Sequence, residues 1–177
     1  EAKMETDTVS AKREYLKEVL PALSAAGHKM LIFSSFLDPI DAISGDLTAL
    51  GIKHLIMTGA TTDRKALVDR FQKDPEIKAF LITLKTGGVG LNLTAADYVF
   101  IFDPWWNAAA EEQALNRTHR IGQKNPVFCY RLIAKDTIEE KMLELQMKKK
   151  ELSDNLISSD SAALRTLTEA EIDELLS

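Results

Sequence analysis

The 177-residue chain has one cysteine, three histidines, two tryptophans and five prolines. One cysteine, Cys129, excludes an internal disulfide framework, and three scattered histidines with it exclude a zinc site of the usual spacing. Cys129 sits in the apolar run PVFCYRLIA and is expected to be a buried small residue, in keeping with a reducing compartment. No apolar run approaches the length of a membrane span, and the polar opening EAKMETDTVSAKRE has no secretory-signal pattern. Because it opens on Glu1, the chain is expected to be a piece of a longer protein. A net positive charge is also lacking: the formal value is −5. Residues 64–150 nevertheless carry 15 basic against 11 acidic side chains, the remainder 7 against 16. That split permits a local positive face without requiring one.

What is present is apolar patterning of an α/β type. Five runs read as strands: KMLIFSSF (29–36), KHLIMTG (53–59), AFLITL (79–84), DYVFIFD (97–103) and PVFCYRLIA (126–134). Most are continuous rather than alternating, as in strands buried on both faces of a parallel sheet. Helical spacing marks residues 10–26, stopped by Gly27, and a segment capped by Thr62 with Leu67, Val68 and Phe71 on one side. Asn107 is placed to cap AAAEEQALNRTHRI, which Gly122 ends. Thr137 and Glu140 have capping-box spacing before a helix with Ile138, Met142, Leu145, Leu152 and Leu156 on one stripe. The expected organisation is a helical lead-in over 1–26, an α/β core with a mostly parallel sheet over 27–136, a helix over 137–157 and an acidic tail over 158–177.

Two stretches carry chemistry. Thr86-Gly-Gly-Val-Gly-Leu-Asn-Leu-Thr94 follows a strand, but no Gly-Lys-Ser/Thr completes a P-loop. A dinucleotide reading would use Gly88 and Gly90 with Asp103 as the ribose acid. Against it, Leu93 stands where the third small residue belongs, and residues 91–96 are too few for a crossover between neighbouring parallel strands. The residues themselves leave two equal readings: a bare structural turn, or backbone N–H groups offered to a phosphate. The second stretch places Gln113, Arg117 and Arg120 at i, i+4, i+7 on one helical face. Guanidiniums so placed need carboxylates or phosphates, and the residues by themselves favour a surface salt-bridge stripe over a triphosphate. His119 lies off that stripe. Trp105 and Trp106 are adjacent, so one side chain suits the core and the other an exposed contact.

In order, LIFSSF (31–36), TGATTDRKALVDRF (58–71), TLKTGGVGLNLTAADYVFIFDPWWN (83–107), EEQALNRTHRIGQ (111–123) and TIEEKMLELQMKKKEL (137–152) resemble the second RecA-like lobe of the Swi/Snf family of DNA-dependent ATPases, within the superfamily-two helicases. The resemblance covers about Ser10 to Leu156. Ala60, Ala108 and Asn116 depart from the family's usual Ser, Pro and Asp.

It implies a RecA-like three-layer fold and a motor lobe that translocates on double-stranded DNA. ATP with Mg would be bound mainly by a first lobe carrying the P-loop lysine and the metal-holding acid. Arg117 and Arg120 would be arginine fingers supported by Gln113, with Gly90 and Asn92 beside the nucleotide. Ser34, Ser35, Thr58, Gly59, Lys85, Thr86, Gly87, Gly88, Trp105 and Trp106 would contact DNA. The implied partners are DNA and the first lobe of the same parent, with the isolated domain a monomer. The compact design points to a bacterial, nucleoid-associated setting ahead of a nuclear one. The rival from another class is a non-catalytic α/β module binding nucleic acid or protein; a P-loop upstream in the parent reading frame separates the two.

Overall fold

A computed structural model describes residues 2–84, 93–103, 126–135, 137–141 and 143–148. The elements are α1 (Ala2–Ala25), β1 (Met30–Ser34), α2 (Leu37–Ala49), β2 (His54–Met57), α3 (Arg64–Lys73), β3 (Ala79–Thr83), β4 (Tyr98–Ile101) and β5 (Phe128–Arg131). A further helix, α4, covers residues 138–141 and 143–148. The five strands form one sheet in the order β2-β3-β1-β4-β5. Every pairing is parallel. This is the RecA-like α/β arrangement that the sequence implied.

The continuous apolar strands are explained by burial on both faces. Along β1, Leu31 and Phe33 enter one cluster, with Phe80 and Ile82 of β3 and Val68 and Phe71 of α3. Met30 and Ile32 enter the other, with Leu81, Phe100, Leu16 and Leu20 of α1, and Ile40, Ile43 and Leu47 of α2. Successive side chains of a strand point to opposite faces, so β1, β2, β3 and β4 each feed both clusters. The lead-in helix α1 therefore contributes to the core.

Two glycines end helices by one mechanism. Gly27 has φ 87° and Gly51 φ 70°. After α1, Gly27 N–H donates to Ser24 and His28 N–H to Leu23; after α2, Gly51 N–H donates to Thr48 and Ile52 N–H to Leu47. These are paired six-to-one and five-to-two bonds, which need a residue at positive φ. The end of α3 is held differently. The Lys29 ammonium donates to the Phe71 carbonyl, and to that of Asp74 at 2.8 Å. A cation at a helix carboxyl end also meets the favourable end of its dipole. Partial burial pushes the Lys29 pKa down, opposed by Asp74.

Five expectations are revised. Helix α1 starts at Ala2 rather than Ser10 and contains Pro21. Helix α2 was not anticipated; its buried Ile40, Ile43 and Leu47 sit at helical spacing. Asp63, not Thr62, caps α3, its Oδ1 accepting from Ala66 N–H at 3.0 Å. At α4 the Thr137 hydroxyl accepts from Glu139 N–H at 3.3 Å, one residue before the capping-box position, and the Glu139 carboxylate accepts from Ala134 N–H at 2.9 Å. Cys129 is exposed rather than buried, because β5 pairs only with β4 in the described sheet and all its residues are exposed. The Asn107 cap and the Gly122 stop lie outside the described residues.

Phe80 is fully buried, with its ring centroid 5.2 Å from that of Phe71, whereas Phe36 is 64% exposed. Phe80→Ala is expected to lower unfolding free energy by about 3–5 kcal/mol. Phe36→Ala is expected to change it by no more than about 0.5 kcal/mol. Urea denaturation of both variants checks the contrast.

Candidate nucleic-acid and nucleotide-facing edge

In an all-parallel sheet every strand delivers its following loop to the same edge. The implied site residues that are described follow that rule: Ser34 and Ser35 lie at the end of β1, and Thr58 and Gly59 follow β2; Asp103, the acid of the dinucleotide reading, lies just past β4. Residues 85–92 begin one residue beyond Leu84, after β3. The connection from β1 runs to one side of the sheet, toward β2, and the connection from β4 to the other, toward β5. The carboxyl ends of neighbouring β1 and β4 therefore form a topological switch point, where open α/β sheets place their ligand crevices.

Ser34 and Asp103 meet at that point. The Ser34 hydroxyl donates to Asp103 Oδ2. Ser34 is fully buried, and the same oxygen accepts from Phe36 N–H at 3.2 Å. Burial pushes the Asp103 carboxyl above its ordinary pKa; the Ser34 bond, then Lys12 and, least, the Ser35 backbone oppose that rise, and Glu139 adds to it. Of the two serines, Ser35 is half-buried and Ser34 fully buried and bonded to Asp103. Asp103, buried and bonded to Ser34, is not presented to a ribose, which counts against the dinucleotide reading.

The turn after β2 is closed on itself. Thr61 Oγ1 accepts from Thr58 N–H at 3.0 Å, Thr58 Oγ1 accepts from Ala60 N–H at 3.3 Å, and Thr61 N–H donates to the Thr58 carbonyl at 3.1 Å. Thr58 is half-buried and Gly59 exposed. A hydroxyl that accepts still has a proton to donate, so Thr58 retains a donor at this edge. A Cβ built on Gly59 meets nothing within 4 Å, so close packing is not what places a glycine there.

The other implied site residues lie outside the described residues: Lys85, Thr86, Gly87, Gly88, Gly90, Asn92, Trp105, Trp106, Gln113, Arg117 and Arg120. Among the described residues no group of three or more His, Cys, Asp and Glu is placed to hold a metal ion, and no helix is long and apolar enough to cross a membrane. Sequence reasoning missed Lys12 and Glu139, which reach this edge from outside it. Lys12 donates to the Phe102 carbonyl at 2.8 Å and to Glu139 at 2.6 Å. The available signal was position: Lys12 lies one turn before Leu16, on the apolar stripe of α1.

Comparison with known proteins agrees with this geometry. Residues 11–122 match the helicase conserved C-terminal domain. An uncharacterized ATP-dependent helicase of Mycoplasma pneumoniae is 39% identical over 165 residues, 92% of this chain and 16% of that protein. The ATP-dependent helicase rhp16 of Schizosaccharomyces pombe is 40% identical over 172 residues, 95% of this chain and 20% of that protein. The crystal structure of the C-terminal part of the Fun30 ATPase domain superposes with a TM-score of 0.72 at 39% identity, covering 75% of this chain and 44% of that one. The chain thus spans a sixth to a fifth of the two helicases. Its relatives are bacterial and eukaryotic alike, so they do not support the bacterial preference drawn from compactness. The chain belongs to the helicase conserved C-terminal domain family, as the second RecA-like lobe of a Swi/Snf-type ATP-dependent helicase.

Proposed function

We propose that this chain is the second motor lobe of an ATP-dependent translocase on double-stranded DNA, completing an ATP site whose phosphate loop lies in a first lobe. The observation that carries the proposal is the family match over residues 11–122, in a chain whose described site residues Ser34, Ser35, Thr58 and Gly59 lie along one edge of a parallel sheet. Ser35, Thr58 and Gly59, with Lys85, Thr86, Gly87 and Gly88, form the DNA-backbone grip. Hydroxyls, backbone N–H groups and one lysine suit phosphate oxygens, which carry little sequence information. Trp105 and Trp106 join DNA to the nucleotide side.

Arg117 and Arg120 face the γ-phosphate, held by Gln113, with Gly90 and Asn92 beside the nucleotide. Two fixed positive charges stabilise the transferring phosphoryl group as its charge redistributes. Magnesium would be held mainly by the first lobe, where it would neutralise phosphate charge. This chain's part is to position arginines and DNA relative to one another. As an isolated lobe it is monomeric.

Three outcomes are expected. In the two-lobed parent, Arg120→Ala lowers DNA-stimulated ATP turnover by about 10³-fold or more while leaving the circular-dichroism spectrum unchanged. Wild-type turnover in a folded variant would refute the finger assignment. The isolated chain shows no ATP hydrolysis above buffer in a phosphate-release assay, with or without duplex DNA; robust turnover would contradict the divided site. Duplex binding by the isolated lobe, followed by fluorescence anisotropy, is weak and falls about tenfold or more between about 50 mM and about 200 mM salt. A marked preference for one duplex sequence would count against a backbone grip.

A further inference from the structure

Lys12 is a buried ammonium that the proposed motor chemistry does not use. It is 6% exposed on α1. Its Nζ donates to the Phe102 carbonyl at 2.8 Å and to Glu139 Oε1 at 2.6 Å, and lies 5.4 Å from the Phe102 ring centroid. The second oxygen of Glu139 accepts from Ala134 N–H at 2.9 Å. One carboxylate thus holds the helix that enters the sheet, through Lys12, and the turn that leaves β5, through Ala134. The partners of Lys12 are 90 and 127 residues away in sequence.

A buried ion pair is a poor means of fastening a helix. Desolvation offsets much of its attraction, and apolar residues of similar volume often pack as well or better. Leu16 and Leu20 already secure α1 in the core. What the ammonium adds is direction. It fixes the carbonyl of Phe102, the residue before Asp103, while Asp103 holds Ser34, the residue before Ser35. Phe102 N–H in turn donates to the Phe33 carbonyl at 2.8 Å, tying the same turn to the end of β1. Lys12 and Glu139 are therefore linked, through the Phe102–Asp103 backbone and the Ser34–Asp103 hydrogen bond, to the end of β1 where Ser35 follows.

We propose that Lys12 and Glu139 are positioning residues: a clasp that sets the Phe102–Asp103 turn, and through it Ser35, so that α1, α4 and the DNA-facing edge move as one unit. The proposal rests on the motor reading, which makes that edge DNA-facing. If α1 or α4 is displaced when the parent's two lobes rearrange, the clasp carries the displacement to the DNA grip.

The test uses the two-lobed parent with Lys12→Met and Glu139→Gln, which preserve side-chain bulk, and Lys12→Arg, which preserves charge and donors. ATP turnover is measured without DNA and across a duplex titration, and urea unfolding reports the fold. Lys12→Met and Glu139→Gln are expected to lower DNA-stimulated turnover, or raise the half-saturating DNA concentration, by about tenfold, as small misplacements of an active constellation do. Turnover without DNA should change less than about twofold, and Lys12→Arg should recover most of the loss. Should Lys12→Met fail to fold, Glu139→Gln decides. Wild-type DNA dependence in a folded variant overturns the clasp alone. So does an equal fractional loss with and without DNA, which is what a merely structural role produces. If the unsubstituted parent shows no DNA stimulation, the motor reading falls and the clasp's role falls with it.

Discussion

The architecture depends on burying the central strands from both sides. Met30, Leu31, Ile32 and Phe33 are all excluded from water, as are Ala79, Phe80, Leu81 and Ile82. A strand with apolar side chains in both directions needs a layer on each face. Here α1 and α2 cover one face and α3 the other. Helical crossovers between strands then make the sheet parallel, and a parallel sheet sends every outgoing loop to one edge. The placing of candidate contacts from β1 and β2 along that edge therefore follows from core hydrophobicity, without any feature specific to the ligand.

The strands were legible because two-sided burial leaves an uninterrupted apolar run that loops do not imitate. Helix α2 was not, for physical reasons. Its sequence, LDPIDAISGDLTA, mixes Pro39, Gly45, three aspartates and a threonine, most of them weak helix formers. Its N-cap, Phe36, makes no side-chain cap bond. Tertiary burial of Ile40, Ile43 and Leu47 outweighs those local preferences. The caps show a subtler limit. Thr62 and Asp63 are both good capping residues, and Thr137 is followed by two glutamates. A one-residue choice between equals is settled by the turn geometry, which spacing does not encode. Cys129 was misread because an edge strand has the same composition as a central one.

The candidate site was legible in another way. Physics applied to the residues left the arginine stripe leaning toward a salt-bridge surface rather than a phosphate clamp, and the glycine turn balanced between scaffold and ligand contact. The ordered set of motifs supplied the family, and the family match now supports it. The structure adds something neither route contained. Within the Ser34–Ser35 pair the two residues differ: Ser34 is fully buried and committed to Asp103, whereas Ser35 is half-buried. A motif treats both serines as contacts; burial separates them.

The buried polar groups near this edge differ in kind from the rest of the core. The two apolar clusters are non-directional and tolerate small shifts. Lys12, Ser34 and Asp103 are each buried and each tied to a specific atom. Charges in low dielectric are costly when unpaired, so their partners are strongly enforced. A lobe that grips DNA and offers arginines to a nucleotide bound elsewhere would have to keep those groups in fixed relation while the lobe itself moves. Apolar packing alone gives cohesion without a unique register. A short chain of buried, satisfied polar contacts at the switch point supplies the register where strands β1 and β4 hand over to the loops. That is a physical reason for spending desolvation energy at this edge when the sheet interior spends none.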